Sequence, residues 1–317
     1  MLRFALRRVG QIILTLLVLA VATFALLQAT PGGPAQVLLG PDRYTPALEA
    51  RLNHDLGLDQ PLPIQFGRWF AALARGELGR SYFFRRPALD VVRERLSATF
   101  ILGGSAYFVA LIGGVACGVW AAARRGGPID RLLSSAAIVC LSTPSFWLGI
   151  GLIVIFAAWL RILPSAGIAP VGQEGDPVQR LRHLILPLLT MAAGQGASLA
   201  VYTRAAMVDA LRADYTRTAR AMGARERRVL WFHALRNATI PIATQAGLAL
   251  PHVIEGSVIV ESVFSWPGIG QLTVASVGRR DYPILLTITL LVGLGVLLSS
   301  LLTDLLYHRL DPRIGYE

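Results

Sequence analysis

Long apolar runs, separated by polar segments, dominate this chain. Six of them reach the roughly 20 residues that a helix needs to cross a hydrocarbon core; they cover residues 9–28, 98–123, 132–160, 184–207, 240–264 and 284–307. The pattern predicts an all-α polytopic membrane protein with about six transmembrane helices. The first run is longer than the apolar core of about 7–15 residues in a signal peptide, so we expect a retained helix.

Composition and charge agree with a membrane protein and argue against nucleic acid as a partner. The chain is 54% hydrophobic and 15% charged, whereas soluble domains carry about 25% charged residues. All 30 basic residues are arginines, the net charge is +11, and many of the arginines stand at the ends of apolar runs. Arginine-rich short loops face the cytoplasm, so we predict that both termini are cytoplasmic.

The spacing of the runs predicts four parts along the chain. They are an N-terminal transmembrane helix (1–28), an extracytoplasmic insertion (29–97), a core domain (98–310) that contains a cytoplasmic loop (208–238), and a cytoplasmic tail (311–317). The insertion is far longer than ordinary loops of about 4–6 residues. We therefore expect it to fold.

Two short helices are predicted in the insertion. Thr45 is placed to cap the first helix, Pro46 to begin it and Gly57 to end it. The second, in IQFGRWFAALARG, carries one apolar face formed by Phe66, Trp69, Phe70 and Leu73. The insertion is either a lid on the membrane surface or a docking surface for an extracytoplasmic partner.

A dense arginine cluster interrupts the apolar pattern between the fourth and fifth runs. Residues 204–236 hold eight arginines and three acidic residues, a local charge of +5. Helix formers extend over 205–222, Gly223 offers a left-handed stop, and a second helix is predicted over 225–237. Ala219, Met222 and Leu230 are predicted to form an apolar contact face. The alternative is a loop that touches anionic lipid headgroups. A DNA-binding helix-turn-helix is disfavoured, because the segment lies between two predicted spans.

Polar side chains within the fifth run are candidates for a substrate pathway, because such groups are costly in a membrane. They are Gln245, His252, Glu255, Ser257 and Glu261. His252 and Glu255 share a helix face and form either a functional lining or a structural pair. Glu261, with Phe264 and Trp266, is placed to form a gate or an interfacial aromatic belt. In the third run, Thr143, Pro144 and Ser145 are expected either to loosen the helix where a tilt is needed or to form a packing kink.

No catalytic motif is recognisable, which argues against an enzyme. The sequence has no Walker loop, no HExxH and no GxSxG. The five histidines do not have the spacing of a metal site. An intramembrane enzyme built on Ser198 and His252 has no motif in its support. A secondary transporter remains an alternative, although no inverted repeat is visible.

The segments RTARAMG and ALRNATIP resemble the cytoplasmic coupling loop of binding-protein-dependent ABC importer permeases, in the dipeptide, oligopeptide and nickel branch. The general motif of that family is Glu-Ala-Ala, three residues, Gly, nine residues, then Ile-x-Leu-Pro. Ala219, Gly223 and Leu235 match it, whereas the other motif positions hold Arg217, Thr218, His233 and Arg236. Further segments in the order of the family are TPGGPA, GLDQPLPIQF, GELGRS, STPSFW, VESVFSWPGIGQL, RRDYP and LDPRI.

The resemblance implies the permease bundle of a type I ABC importer, similar to a methionine importer, and the first of two permease subunits. Such a chain would form half of the translocation pathway for short peptides; nickel chelates, glutathione or oligosaccharides are alternatives. It would lie in the bacterial inner membrane. It would bind no cofactor, because separate subunits would use ATP and Mg²⁺.

The partners that the resemblance implies are a second homologous permease, an extracytoplasmic solute-binding protein and two ATPase subunits, or one bifunctional or homodimeric ATPase. The loop would sit in a cleft of an ATPase, with Gly223 setting the angle between its helices. The coupling residues would be Arg217, Thr218, Ala219, Met222, Gly223, Arg225, Leu230, Leu235 and Arg236.

Overall fold

Helices make up most of the residues that the computed structural model describes. These are residues 2–30, 32–173, 175–255 and 257–310, with side chains placed in 8–30, 32–40, 44–173, 175–254 and 257–303. The helices are α1 (Leu2–Ala29), α2 (Pro34–Arg43), α3 (Pro46–Asp55), α4 (Leu62–Ala74), α5 (Ala88–Ala123), α6 (Pro128–Ser142), α7 (Ser145–Leu152), α8 (Pro177–Arg212), α9 (Asp214–Ala221), α10 (Glu226–Arg228), α11 (Leu235–Ala249), α12 (Pro251–Glu255), α13 (Val258–Val263), α14 (Ile269–Arg279) and α15 (Tyr282–Leu310). Two π-helical segments, Ile153–Trp159 and Val229–Ala234, continue α7 and α10.

Four helices are long and apolar enough to cross a membrane. They are Arg8–Ala29, Ala88–Ala123, Pro177–Arg212 and Tyr282–Thr303. A fifth candidate is the pair Pro128–Ser142 and Ser145–Trp159, which is bent by 108°. The described residues thus hold four or five spans by this measure, and the predicted count of six is not reached.

The predicted continuous helix over 132–160 is wrong, because the chain breaks at Thr143. The backbone of Thr143 is extended, with ψ 122°, since the ring of the following Pro144 disfavours the helical conformation. The Thr143 hydroxyl donates to the carbonyl oxygen of Val139 at 2.7 Å and satisfies part of the helix end. The loosening or kink expected from the sequence is therefore a sharp bend.

The predicted continuous helix over 240–264 is also wrong. The helix α11 ends at Ala249, and Pro251, which lacks an N–H donor, begins the short helix α12. A new helix, α13, then starts at Val258, where the Ser257 hydroxyl accepts a hydrogen bond from the Val260 N–H at 3.1 Å. This serine cap favours a fresh helix start over continuation.

Contacts divide the chain into two compact units. The first comprises residues 1–99 and 267–297, and the second comprises residues 100–266 and 298–317. In the first unit, both predicted insertion helices are confirmed: the Thr45 hydroxyl caps α3 by accepting from the Leu48 N–H at 3.2 Å, and Gly57 follows with a φ of +70°. Helix α5 begins at Ala88, before the start predicted at residue 98.

A buried carboxylate anchors the loop before α5 in the first unit. Asp281, which is 1% exposed, accepts hydrogen bonds from the Ser81 hydroxyl and from the backbone N–H groups of Tyr82 and Phe83, the latter two at 3.1 and 3.2 Å. An apolar cluster that includes Val92 and Ile284 packs in the same unit. The loop and the turn before α15 are therefore held together by hydrogen bonds and apolar contacts.

Helix α8 is the centre of the second unit and packs against α6, α7 and α11. Helices α5 and α8 approach to backbone contact, because a Cβ built at Gly114 would lie 2.6 Å from the carbonyl oxygen of Gly196. That distance requires a glycine at position 114, whereas a Cβ at Gly196 would meet Ala110 at an ordinary contact distance of 3.4 Å; helices commonly pack closely through such small residues.

Candidate coupling segment and translocation cavity

The arginine cluster folds as two helices joined at Gly223, but its first helix is shorter than predicted. A single helix over 205–222 is wrong: α8 ends at Arg212, Ala213 is extended, and α9 starts at Asp214. Thr216 explains part of this break, because its hydroxyl lies 3.0 and 2.7 Å from the carbonyl oxygens of Leu211 and Ala213. A side chain that bonds to nearby backbone carbonyls competes with the helix.

Gly223 adopts the left-handed conformation that the sequence predicts, with a φ of +80°. Its N–H donates to the Arg220 carbonyl at 2.9 Å, and the Ala224 N–H donates to the Ala219 carbonyl at 3.0 Å. The second helix begins at Glu226 and does not end at 237, because α10, the π-helical segment and α11 follow one another without a gap. We call residues 213–236 the coupling segment.

The predicted apolar contact face is wrong for two of its three members. Ala219 is 2% exposed, and Leu230 packs against the buried cluster that contains Met207 and Ala234. These side chains face their own chain because α9 packs against the π-helical segment. Met222, in contrast, is 77% exposed.

Two neighbouring aromatic side chains of the coupling segment, Trp231 and Phe232, are exposed where Ala219 and Leu230 are not. Trp231 and Phe232 are 48% and 70% exposed. With Arg225, Arg227 and Arg228 they line a shallow pocket of about 480 Å³. This pair was not predicted, although adjacent aromatic residues in an arginine-rich segment are a visible signal for a contact surface.

Two of the arginines are paired within the coupling segment. Arg220 Nε donates to Glu226 at 2.7 Å, and this hydrogen bond raises the pKa of Arg220 above its ordinary value. Arg217 lies 3.4 Å from Asp214. The predicted coupling residues separate into exposed positions, a buried Ala219, and half-buried Leu230 and Leu235; the exposed ones are Arg217, Thr218, Met222, Gly223, Arg225 and Arg236.

A second candidate site is a cavity of about 350 Å³ in the second unit. Two helix breaks contribute to its wall: Thr143 and Ser145 come from the bend between α6 and α7, and His252 and Ser257 come from the interrupted segment α12–α13. Irregular backbone at membrane depth is tolerated where it lines a cavity. The breaks that contradict the predicted continuous helices therefore shape this cavity.

Helix α8 supplies Thr190 and Gln195 to the same cavity. The Thr190 hydroxyl donates to the Leu186 carbonyl at 2.8 Å. The Oε1 atom of Gln195 is buried and has no hydrogen-bond partner within the described chain. A buried acceptor without a donor is costly. Gln195 was not among the predicted pathway residues, although it is an amide within the apolar run around GQGAS.

The predicted pathway residues come together only in part. His252 and Ser257 line the cavity, whereas Gln245 and Glu261 are not among its described lining residues. The side chain of Glu255 lies outside the described residues. Glu261 is 0% exposed, and Phe264 and Trp266 are 1% exposed. The interfacial aromatic belt is therefore wrong, because a belt requires rings at the surface.

Several candidate spans, broken helices beside a cavity and an arginine-rich segment are typical of a membrane transport protein. Residues 114–316 match the family model of the binding-protein-dependent transport system inner membrane component, and residues 1–103 match the model of its N-terminal part. The chain belongs to this family of inner membrane permeases. It is a multi-pass, non-catalytic subunit of an ABC importer, a class that works with ATPases, a solute-binding protein and a second permease.

Relatives with similar sequences match the chain along nearly its whole length. A probable peptide ABC transporter permease, y4tP of Sinorhizobium fredii, is 39% identical over 313 residues, 99% of each chain. The glutathione transport system permease GsiC of Pectobacterium atrosepticum is 39% identical over 317 residues, 100% of each chain. The oligopeptide permease AppB of Bacillus subtilis is 35% identical over 314 residues, 99% of each chain.

Solved structures with similar folds confirm the predicted fold class. An inward-facing structure of the MetNI methionine ABC transporter matches with a TM-score of 0.58 and 17% identity, covering 71% of this chain and 98% of the other. An amino acid ABC transporter matches with a TM-score of 0.50 and 18% identity, covering 70% and 94%. The prediction of a bundle similar to a methionine importer is therefore confirmed.

Proposed function

We propose that this chain is one of two homologous permease subunits of an ATP-driven importer of short peptides. Two relatives named for peptide or oligopeptide transport support this substrate class, and their similarity extends over 99% of the chain. Both termini and the coupling segment face the cytoplasm in this proposal, and residues 29–97 face outward. The ATPase subunits bind ATP and Mg²⁺, and this chain binds neither.

The single observation that carries the proposed coupling role is the shape of the coupling segment. Gly223 joins two helices in a left-handed turn, while Met222 and Phe232 are 77% and 70% exposed beside exposed arginines. Apolar side chains ringed by charge are typical of a protein contact site. We infer that this surface enters a cleft of an ATPase subunit and that closure of the ATPases moves α8 and α11 between two states.

The proposed cleft contact is tested by purifying the complete complex after single substitutions. Met222→Glu and Phe232→Glu place a charge on the exposed surface, and Val171→Glu, at a side chain that is 98% exposed in the connection before α8, is the matched control. We expect the first two variants to lose the ATPase subunits on purification and the control to retain them. Full retention of the ATPases by Met222→Glu and Phe232→Glu would refute the contact.

Glutathione is the second candidate solute, because a relative of equal identity is named for its transport. Uptake by proteoliposomes that contain the complete complex distinguishes the two. Labelled dipeptides and tripeptides are compared with labelled glutathione at equal concentration. Uptake of ordinary peptides that glutathione does not inhibit supports the peptide importer; uptake of glutathione alone replaces it with the second candidate.

A further inference from the structure

A cavity of about 820 Å³ lies within the first unit, and neither the coupling segment nor the translocation cavity contributes to it. Its wall combines the end of α1, the helices of the insertion and the start of α15. Ligand cavities in proteins commonly have volumes of about 300–1,000 Å³ and mostly apolar walls with a few polar groups. Its size and composition therefore fit a bound molecule.

The apolar wall continues into two membrane-spanning helices. Phe24 and Leu27 belong to the span Arg8–Ala29, and Leu286 belongs to the span Tyr282–Thr303. The ring of Phe24 stacks on Trp69 of α4 with centroids 6.4 Å apart. Because the wall starts on helices that lie in hydrocarbon, an acyl chain has a continuous apolar surface on which to enter.

The polar part of the cavity is rich in hydrogen-bond donors and positive charge. Among its described lining residues are Arg68, Arg80 and Arg85, against one acidic residue, Asp55. Arg80 Nη2 donates to the Arg85 carbonyl at 3.0 Å, which holds these two residues together. The guanidinium group binds phosphate well because its planar donors match the phosphate oxygens.

Two further groups increase the excess of donors. The indole Nε1 of Trp69, a cavity residue, is buried and has no hydrogen-bond partner in the described chain. Tyr82 also lines the cavity with its hydroxyl donor, and burial and the nearby Asp281 raise the pKa of this group above its ordinary value. A buried donor without an acceptor is costly, and an acceptor-rich ligand would satisfy it.

We propose that this cavity binds an anionic phospholipid of the bilayer, with the phosphate near Arg68, Arg80 and Arg85 and an acyl chain along Phe24 and Leu286. This site is separate from the proposed transport function and does not depend on the identity of the solute. The bound lipid fills the space between two spans and the insertion, and it fixes the insertion to the membrane-spanning helices.

The test uses the complete complex in nanodiscs that contain phosphatidylglycerol and phosphatidylethanolamine. Native mass spectrometry counts the phosphatidylglycerol that stays bound after release. The variant Arg68→Gln with Arg85→Gln removes two cavity charges. The control, Arg51→Gln with Arg75→Gln, removes two exposed arginines of the same insertion that do not line the cavity. A third variant, Leu39→Trp, fills the apolar part without changing charge.

We expect the cavity variant to retain roughly thirtyfold less phosphatidylglycerol, which corresponds to about 1 kcal/mol for each of the two arginines removed. The control should retain the lipid as the wild type does, and Leu39→Trp should lose it. Each variant is first checked for assembly by size-exclusion chromatography. Because the charge and volume variants act on different parts of the cavity, an assembly defect in one leaves the other as the test.

Three results would overturn the lipid site. The first is equal lipid retention by the cavity variant and its control. The second is loss of lipid from the wild type in excess inorganic phosphate, because that would identify a site for free anions. The third is displacement of the lipid by the solute-loaded binding protein, which would make the cavity a protein-docking site.

Discussion

Arg204 of α8 forms a bidentate ion pair with Asp130: its Nε and Nη2 atoms donate to the two carboxylate oxygens at 2.6 and 2.8 Å. The Asp130 side chain is 6% exposed and also accepts from the Gly126 N–H at 2.9 Å and the Ser134 hydroxyl at 3.2 Å. A bidentate pair fixes orientation as well as distance. The turn before α6 is therefore fastened to α8, the helix that leads into the coupling segment.

Replacing Asp130 by Asn should destabilise the second unit. The change leaves the Arg204 guanidinium without its counter-charge, and we expect the free energy of unfolding to fall by about 2 kcal/mol. This is less than for a fully buried pair, because the Arg204 side chain is 34% exposed. The midpoint of thermal unfolding of the purified complex measures it. Glu226→Gln, which breaks the exposed pair with Arg220, is the control and should leave the midpoint unchanged. Equal shifts in both variants would contradict the structural role of Asp130.

Substitutions at Gly223 should separate backbone conformation from side-chain volume. A Cβ at this position meets no atom within 4 Å, so only the φ of +80° opposes a side chain. Ala should cost about 1 kcal/mol and Asn less, because Asn visits the left-handed region more readily. Pro, whose φ is fixed near −65°, cannot form the turn.

The readout for Gly223 is ATPase stimulation by the solute-loaded binding protein. We expect Gly223→Asn to retain stimulation, Gly223→Ala to reduce it and Gly223→Pro to abolish it, while the permease stays folded. Normal stimulation in Gly223→Pro would show that the turn has no part in coupling.

Asp281→Ala should loosen the loop at 81–83. The substitution leaves two backbone N–H groups and the Ser81 hydroxyl without their acceptor, at a position that is 1% exposed. Because buried unsatisfied groups cost about 1–3 kcal/mol each, we expect the free energy of unfolding to fall by about 3 kcal/mol. Faster cleavage of the loop in limited proteolysis is the measurement. The control Asp59→Ala removes an exposed carboxylate of the same insertion and should leave the rate of cleavage unchanged. If Asp281→Ala resists proteolysis as well as the wild type does, Asp281 does not anchor the loop.

Gln195→Leu should increase stability and slow transport. The change removes a buried acceptor that lacks a donor, which stabilises the protein by about 1 kcal/mol, and it removes a hydrogen-bonding group from the translocation cavity. Uptake by proteoliposomes should fall roughly three- to tenfold, the equivalent of one hydrogen bond. Gln245→Leu, outside the cavity lining, should leave uptake unchanged. If only Gln245→Leu slows uptake, the pathway follows α11 instead.

Local signals in the sequence predicted much of the helical structure. Apolar length identified the long helices, Thr45 marked the start of α3, and Gly223 marked the turn of the coupling segment. These features depend on a few neighbouring residues, because caps and left-handed turns are satisfied within one helical turn. The family resemblance carried by RTARAMG and ALRNATIP added the class of protein, which residue patterns alone left open.

Features that depend on distant residues were not predicted. Asp130 and Arg204 are far apart in sequence, so their pairing was invisible, and Arg204 was counted only as a member of the arginine cluster. Ala219 is compatible with either an exposed or a buried face, and packing against the π-helical segment decides the outcome. The break at Thr143 was anticipated only as a loosening or a packing kink, because its size depends on what packs on either side.

The backbone contact between Gly114 and Gly196 is a point about which α8 can tilt relative to α5. Because the two backbones already touch, a tilt of α8 during transport would turn about this point, and the helix extends about 24 Å from Gly196 to Arg212. Each degree of tilt displaces the Arg212 end by about 0.4 Å. The same tilt would move the part of α8 before the crossing in the reverse direction, and Pro187, inside the helix, would decide how much of that movement reaches Pro177.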